Sequence, residues 1–207
     1  MEKLNEQDLN RLFQDVRSSY RILALYQKRL LDLVKYIGNQ FEYEFEKGGY
    51  KFADKMGGNA THFNLDYSGW SWLILYFYSF KFKSKEIEGT RFTLRIIHQA
   101  DTGFYDAGDH SLSKLDIDKF KNVENSMSRL FLLLSKVDEP NPIADFSFED
   151  FSHTTIKEPF KDLVVVSHDM IEFKNQDSTN KVLRDFNQMV KSTFNIEILK
   201  TDEDAVS

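Results

Sequence analysis

The side chains with the types and spacing for chemistry are carboxylates, histidines and one lysine. Asp101, Asp106, Asp109 and His110 stand within ten residues, in the stretch DTGFYDAGDH. Loop carboxylates bind hard divalent cations, and the end of a preceding strand holds such ligands in place. Gly103 and Gly108 let the backbone curl around a ligand. The spacing is not that of an EF-hand, and aspartate and glycine are also ordinary turn formers. The stretch is thus a candidate metal or ligand loop, to be weighed against a plain turn. His62, His98, His110, His153 and His168 lack metalloprotease or zinc-finger spacing. His98 falls on an apolar strand face, where a hydrogen-bonded core histidine is the commoner outcome. His168 and Asp169 are neighbours in an expected strand, so they point to opposite faces and form no dyad with each other. No G-x-S-x-G elbow, P-loop or G-x-G-x-x-G turn occurs.

Glu172-Phe-Lys174 closes an expected strand at 163–173, LVVVSHDMIEF, which would put both side chains on one face. That pair resembles the second half of the PD-(D/E)xK nuclease motif. The resemblance implies a carboxylate, Glu172, holding a divalent metal, and a lysine, Lys174, orienting the attacking water. It also implies an aspartate on the preceding core strand. Glu88 and Asp101 are the nearest candidates, and neither has the Pro-Asp context of that family. The resemblance covers this motif and a coarse element order only.

Several elements must position these groups. Residues 70–83, WSWLILYFYSFKFK, alternate strictly, with aromatic rings on one face and an apolar middle on the other. That pattern predicts a central strand, with Trp72, Ile74, Tyr76 and Tyr78 buried beneath helices. Residues 5–38 predict one long helix. Leu9, Phe13, Val16, Tyr20, Leu23, Gln27, Leu30, Val34 and Ile37 follow a seven-residue repeat, with Asn5 as N-cap and Gly38 just past the end. At ~1.5 Å per residue such a helix is about 50 Å long. It must break near Ser18-Ser19, or protrude and meet a partner; Leu9, Phe13, Val16 and Tyr20 are expected to pack against the sheet, the commoner outcome, or against a second copy of the chain.

Phe41 to Lys47 alternates rings with Glu42, Glu44 and Glu46, the pattern of a half-exposed strand with an acidic outer face. Gly48-Gly49 opens an expected loop, Lys85 to Gly89 an expected turn, and Thr90 to Gln99 an expected strand. Leu112 to Lys136 is expected to be helical, from Leu115, Phe120, Val123, Met127, Leu130, Phe131 and Leu134 at three- and four-residue steps. A last helix over 179–194, capped by Asp177 or Ser178, leads to a short strand at 196–199. The whole predicts an α+β fold. A mostly antiparallel sheet with a central aromatic strand is packed by the N-terminal helix and two later helices, in one domain over 1–200. A disordered acidic tail would follow at 201–207.

With 207 residues, no cysteine and a net charge of −6, disulfides, thiolate metal sites and a broad nucleic-acid surface are disfavoured. No signal-peptide h-region and no membrane-length apolar run occurs, so a cytoplasmic protein is expected. The leading functional expectation is a non-catalytic protein-interaction module without a cofactor. It would act on a basic partner in the manner of immunity or antitoxin proteins, or form a homodimer through the N-terminal helix. One alternative is a divalent-metal-dependent hydrolase or nuclease using Glu172, Lys174 and a loop aspartate. Another is a small-ligand sensor with its pocket at 101–110.

Overall fold

The computed structural model of the chain describes residues 5–50, 77–103, 117–136, 159–160 and 163–200. Helix α1 spans Glu6–Gln40. Strands follow at Phe45–Tyr50 (β1), Phe77–Phe82 (β2), Lys85–Ile87 (β3), Thr90–Gln99 (β4), Arg129–Lys136 (β5), Pro159–Phe160 (β6) and Leu163–Asp169 (β7), and Gln176–Phe194 forms helix α2. The fold is α+β. Every pairing in the seven-stranded sheet is antiparallel, in the order β1-β2-β4-β5-β7-β6, with β3 also paired to β4. The chain divides into two compact units, Met1–Ile37 and Gly38–Ser207.

In the first unit α1 runs without a break at Ser18-Ser19. Asn5 caps it as expected: its Oδ1 accepts from the Asp8 N–H at 2.9 Å, satisfying one of the helix's open donors. The other end differs from expectation. Helix hydrogen bonding continues to Gln40, and the left-handed residue is Glu42, at φ 55°. The Tyr43 N–H donates to the Gly38 carbonyl at 2.9 Å and the Glu42 N–H to that of Asn39 at 3.2 Å, which together make a Schellman closure. Gly38 is needed for space instead. A Cβ there would sit 2.4 Å from the Phe82 ring, so only glycine permits this approach.

The middle of the sheet is β4, β5 and β7. Leu130 to Leu134 are all fully buried, as are Leu94, Ile96, Val164 and Val165. Residues 129–136 are therefore the central strand, and the expected helix over 112–136 is corrected. Val123 and Met127, which would have lain on its inner face, are exposed at 79% and 47%. Among the described residues one later helix, not two, follows α1. The expected strand within 70–83 is present in its described part, β2, an interior strand between β1 and β4, with Phe77, Phe80 and Phe82 buried and Tyr78 and Ser79 half-buried. Trp70 to Tyr76 lie outside the described residues, as do the tail at 201–207 and most of the 101–110 loop.

Smaller boundaries move as well. β1 starts at Phe45 and takes in Gly48 and Gly49, while Phe41 and Tyr43 are buried ahead of it. β3 extends into the expected turn and leaves Glu88-Gly89, both at positive φ, as a two-residue hairpin loop. β7 ends at Asp169, where its side chain and that of Glu172 form a capping box that opens a 3-10 turn over Met170–Phe173. Asn175, not Asp177 or Ser178, caps α2, accepting from the Ser178 N–H at 2.9 Å. α2 buries Val182, Leu183, Phe186 and Val190 and sets Phe194 against Phe92 of β4, with ring centroids 5.2 Å apart. Residues 196–199 do not form a strand; the Asn187 Oδ1 holds the Ile198 and Leu199 N–H groups instead.

Candidate functional site

Sheet register decides which charged side chains meet. Lys47 of β1 pairs with Lys81 of β2, and Lys81 pairs with Arg95 of β4. Directly opposed residues share a face, so three cations stand in one row across three neighbouring strands. One acid joins them. The β1–β2 register slips between Phe45 and Lys47, leaving Glu46 as the extra residue of a β-bulge. Its carboxylate thereby reaches the row, 2.8 Å from the Lys81 Nζ and 3.8 Å from the Lys47 Nζ. Chiefly the hydrogen bond from Lys81 lowers the Glu46 pKa below the usual carboxylate value.

Arg95 forms no ion pair among the described residues, and its Nε is buried without a hydrogen-bond partner. Burial lowers its pKa and the Glu46 charge opposes that shift. Beside the row, Gly48, Gly49, Phe77 and Ser79 complete the wall of a concavity of about 310 Å³. The bare backbone of Gly49 faces open space, and the Phe77 side chain is buried in the sheet.

Other charges are already matched. Lys83 lies 2.6 Å from Glu44 and Lys85 3.1 Å from Glu42, so the acidic ridge of 42–46 meets a ladder of lysines from the adjoining segment. Exposed pairs of this kind add little stability.

The chain belongs to the PM0109 family. The family model matches residues 6–195, from the first turn of α1 to the end of α2. No curated protein and no solved structure matches the chain. The family's designation names no reaction or ligand, so the residues themselves must carry the functional argument.

Glu172 and Lys174 do not share a strand face, because the strand has ended and both belong to the 3-10 turn and its cap. The Glu172 carboxylate accepts from the Asp169 N–H at 3.0 Å and lies 3.2 Å from the His168 Nδ1. It closes a turn. Asp101 does the same in its loop, its Oδ1 accepting from the Gly103 N–H at 2.7 Å. Asp106, Asp109 and His110 lie outside the described residues. Among the described residues no group of three or more His, Asp or Glu side chains is placed to hold a metal. His98 is buried on the face of β4 that also carries Phe92, Leu94 and Ile96, and burial pushes its imidazole down to about 4. It is a neutral core residue at ordinary pH.

Leu9 is half-buried, while Phe13, Val16 and Tyr20 are exposed, together with Leu12, Ile22, Leu23 and Leu25; these seven are 43–70% accessible. Further along the same helix Leu30, Val34 and Ile37 are buried. The cationic row was not anticipated. Its only sequence signal was the polar face of β4, through Arg95, and the lysines closing β2. Nothing but register could have brought Lys47 beside them. Among the described residues no helix is long and apolar enough to cross a membrane.

Proposed function

We propose that this chain is a non-catalytic interaction protein that docks through the first two-thirds of α1, and that the occupant of that face is a second copy running antiparallel. The observation that carries the reading is the exposed apolar stripe Leu12, Phe13, Val16, Tyr20 and Leu23, which falls within about 100° of arc on an unbroken helix of about 3.6 residues per turn. An apolar patch of this extent on a monomer marks an interaction surface. A seven-residue repeat is the pattern by which helices pair.

Charge distribution supports the choice of partner and direction. Glu6, Asp8 and Asp15 outnumber Arg11 in the first part of the helix, whereas Arg17, Arg21, Lys28 and Arg29 follow with no acid among them. Antiparallel pairing sets the acidic part of one copy beside the basic part of the other. Parallel pairing sets like beside like. The exposed stretch is only ~30 Å long at the usual rise, so the dimer is expected to be weak and concentration-dependent. The absence of cysteine is in keeping with a reducing cytoplasmic setting.

Sedimentation equilibrium over a wide concentration range tests this. The parent chain should shift from monomer to dimer, and Phe13→Glu with Leu23→Glu should hold it monomeric with an unchanged circular dichroism spectrum. Reversing Arg17 and Arg21 to Glu should weaken the dimer, through lost complementarity with Glu6, Asp8 and Asp15. A parent chain that stays monomeric to its solubility limit refutes the reading.

A further inference from the structure

Like charges placed directly opposite on neighbouring strands repel, yet Lys47, Lys81 and Arg95 do so across three strands in succession. Among the described residues a single carboxylate, Glu46, serves this row, and its ion pairs are with the two lysines rather than with Arg95. The row therefore keeps an excess of two positive charges. The Arg95 guanidinium, with its Nε buried and without a hydrogen-bond partner, feels the Glu46 charge at longer range but forms no ion pair among the described residues. The adjoining concavity of about 310 Å³ is near the lower end of small-ligand pockets, about 300–1,000 Å³. Phe77 offers an apolar wall, Ser79 a hydroxyl and Gly49 an unobstructed backbone.

We infer that this concavity is a binding site for a small dianionic molecule, an oxyanion group carried on a compact apolar body, such as a phosphate monoester or an aromatic dicarboxylate. Two negative charges match the excess on the row. The planar fork of Arg95 suits two oxygens of one phosphate or carboxylate, and Lys81 and Lys47 supply point charges beside it. The apolar body would lie along Phe77 and the Gly48-Gly49 backbone. Glu46 acts as the resident counter-ion, holding the lysines together when the site is empty and competing with the ligand when it is filled. The site involves none of the α1 face and stands or falls separately from the pairing of that helix.

Isothermal titration of the full chain at low ionic strength, with phenyl phosphate and phthalate as probes and benzyl alcohol as neutral control, tests the assignment. Saturable one-site binding of at least one dianion, with none of the alcohol, is expected, and the tighter of the two dianions names the ligand class. Arg95→Gln should weaken binding roughly tenfold, the loss of one charge-assisted contact. Gly49→Val suits a strand and fills the open space beside Ser79, so it should abolish binding while the chain stays folded. Glu46→Gln should tighten binding, because it removes the competing charge; a role in strand pairing alone would not produce that sign. Absence of saturable dianion binding by the parent chain overturns the assignment. So does binding left unchanged in both Arg95→Gln and Gly49→Val, or weakened in Glu46→Gln. Binding of an oligonucleotide without either small dianion would also overturn it, in favour of a nucleic-acid surface.

Discussion

Helices α1 and α2 share a sequence pattern, apolar side chains at three- and four-residue steps with charges between them, and they end in opposite environments. In α2 the apolar positions Val182, Leu183, Phe186 and Val190 are buried, and Phe186 packs at a tilt against Phe41 with centroids 5.7 Å apart. In α1 the equivalent positions from Leu12 to Leu25 are 43–70% exposed, and burial begins only at Leu30. Periodicity says that a helix has an apolar face. It does not say what covers that face. For α2 the cover is within its own unit, where the helix contacts β7 and the 3-10 turn that precedes it. For the first part of α1 it is proposed to be a second copy.

The largest effect that would sharpen this contrast is expected at the heart of α2. Phe186→Ala removes a fully buried ring and should cost about 3–5 kcal/mol in urea unfolding. A loss below about 1 kcal/mol would mean that α2 is no better packed than the exposed part of α1.

Acid attacks the same side of the molecule. His98 is neutral in the fold, its pKa brought down by burial to about 4 from 6.5. A depressed folded-state pKa means that the unfolded chain takes up the proton first. Stability is therefore intact above pH ~6.5 and is lost as pH falls towards ~4, by roughly 3 kcal/mol for a shift of this size. Unfolding free energies measured at pH 7.5 and at pH 4.5 should differ in that direction, and His98→Phe should remove most of the difference. Equal pH dependence in the variant would place the acid-sensitive group elsewhere.

The smallest effect is expected on α1. Phe13→Ser should change the unfolding free energy of dilute, monomeric chain by no more than about 0.5 kcal/mol, as exposed positions do. A loss of several kcal/mol at that dilution would show Phe13 to be buried, and would erase the contrast between the helices.

The misread helix over 112–136 and the strand order that the sequence leaves open share a cause. Leu130 to Leu134 form an unbroken apolar run in a strand covered on both faces. Such a run matches a period of 3.6 as readily as a period of two. The neighbouring Val123 and Met127 completed a helical pattern that the chain does not use. Residues 77–82 alternate plainly and do form a strand, but alternation says nothing of rank within a sheet. That rank follows from the pairing of β4 with β5 and of β5 with β7, between residues as far apart in sequence as Phe92 and Lys136 or Arg129 and Asp169. The Glu172-Phe-Lys174 pair fails for a local reason. Asp169 and Glu172 satisfy a capping box, and that chemistry ends the strand before the pair can lie on it.

What the sequence by itself determined is whatever rests on neighbours: the unbroken helix α1 and its Asn5 cap, the apolar faces of both helices, the β4 strand and the presence of a turn ahead of it. These depend on hydrogen bonds and side-chain spacing within a few residues, so the signal lies beside the structure it specifies. Only the tertiary structure decided that β5 is the centre of the sheet, that Gly38 is held by the Phe82 ring, and that Lys47, Lys81 and Arg95 share one row. Each depends on register between distant segments. A slip of one residue, such as the bulge at Glu46, moves a side chain to the opposite face of a strand without altering the local pattern that a sequence displays.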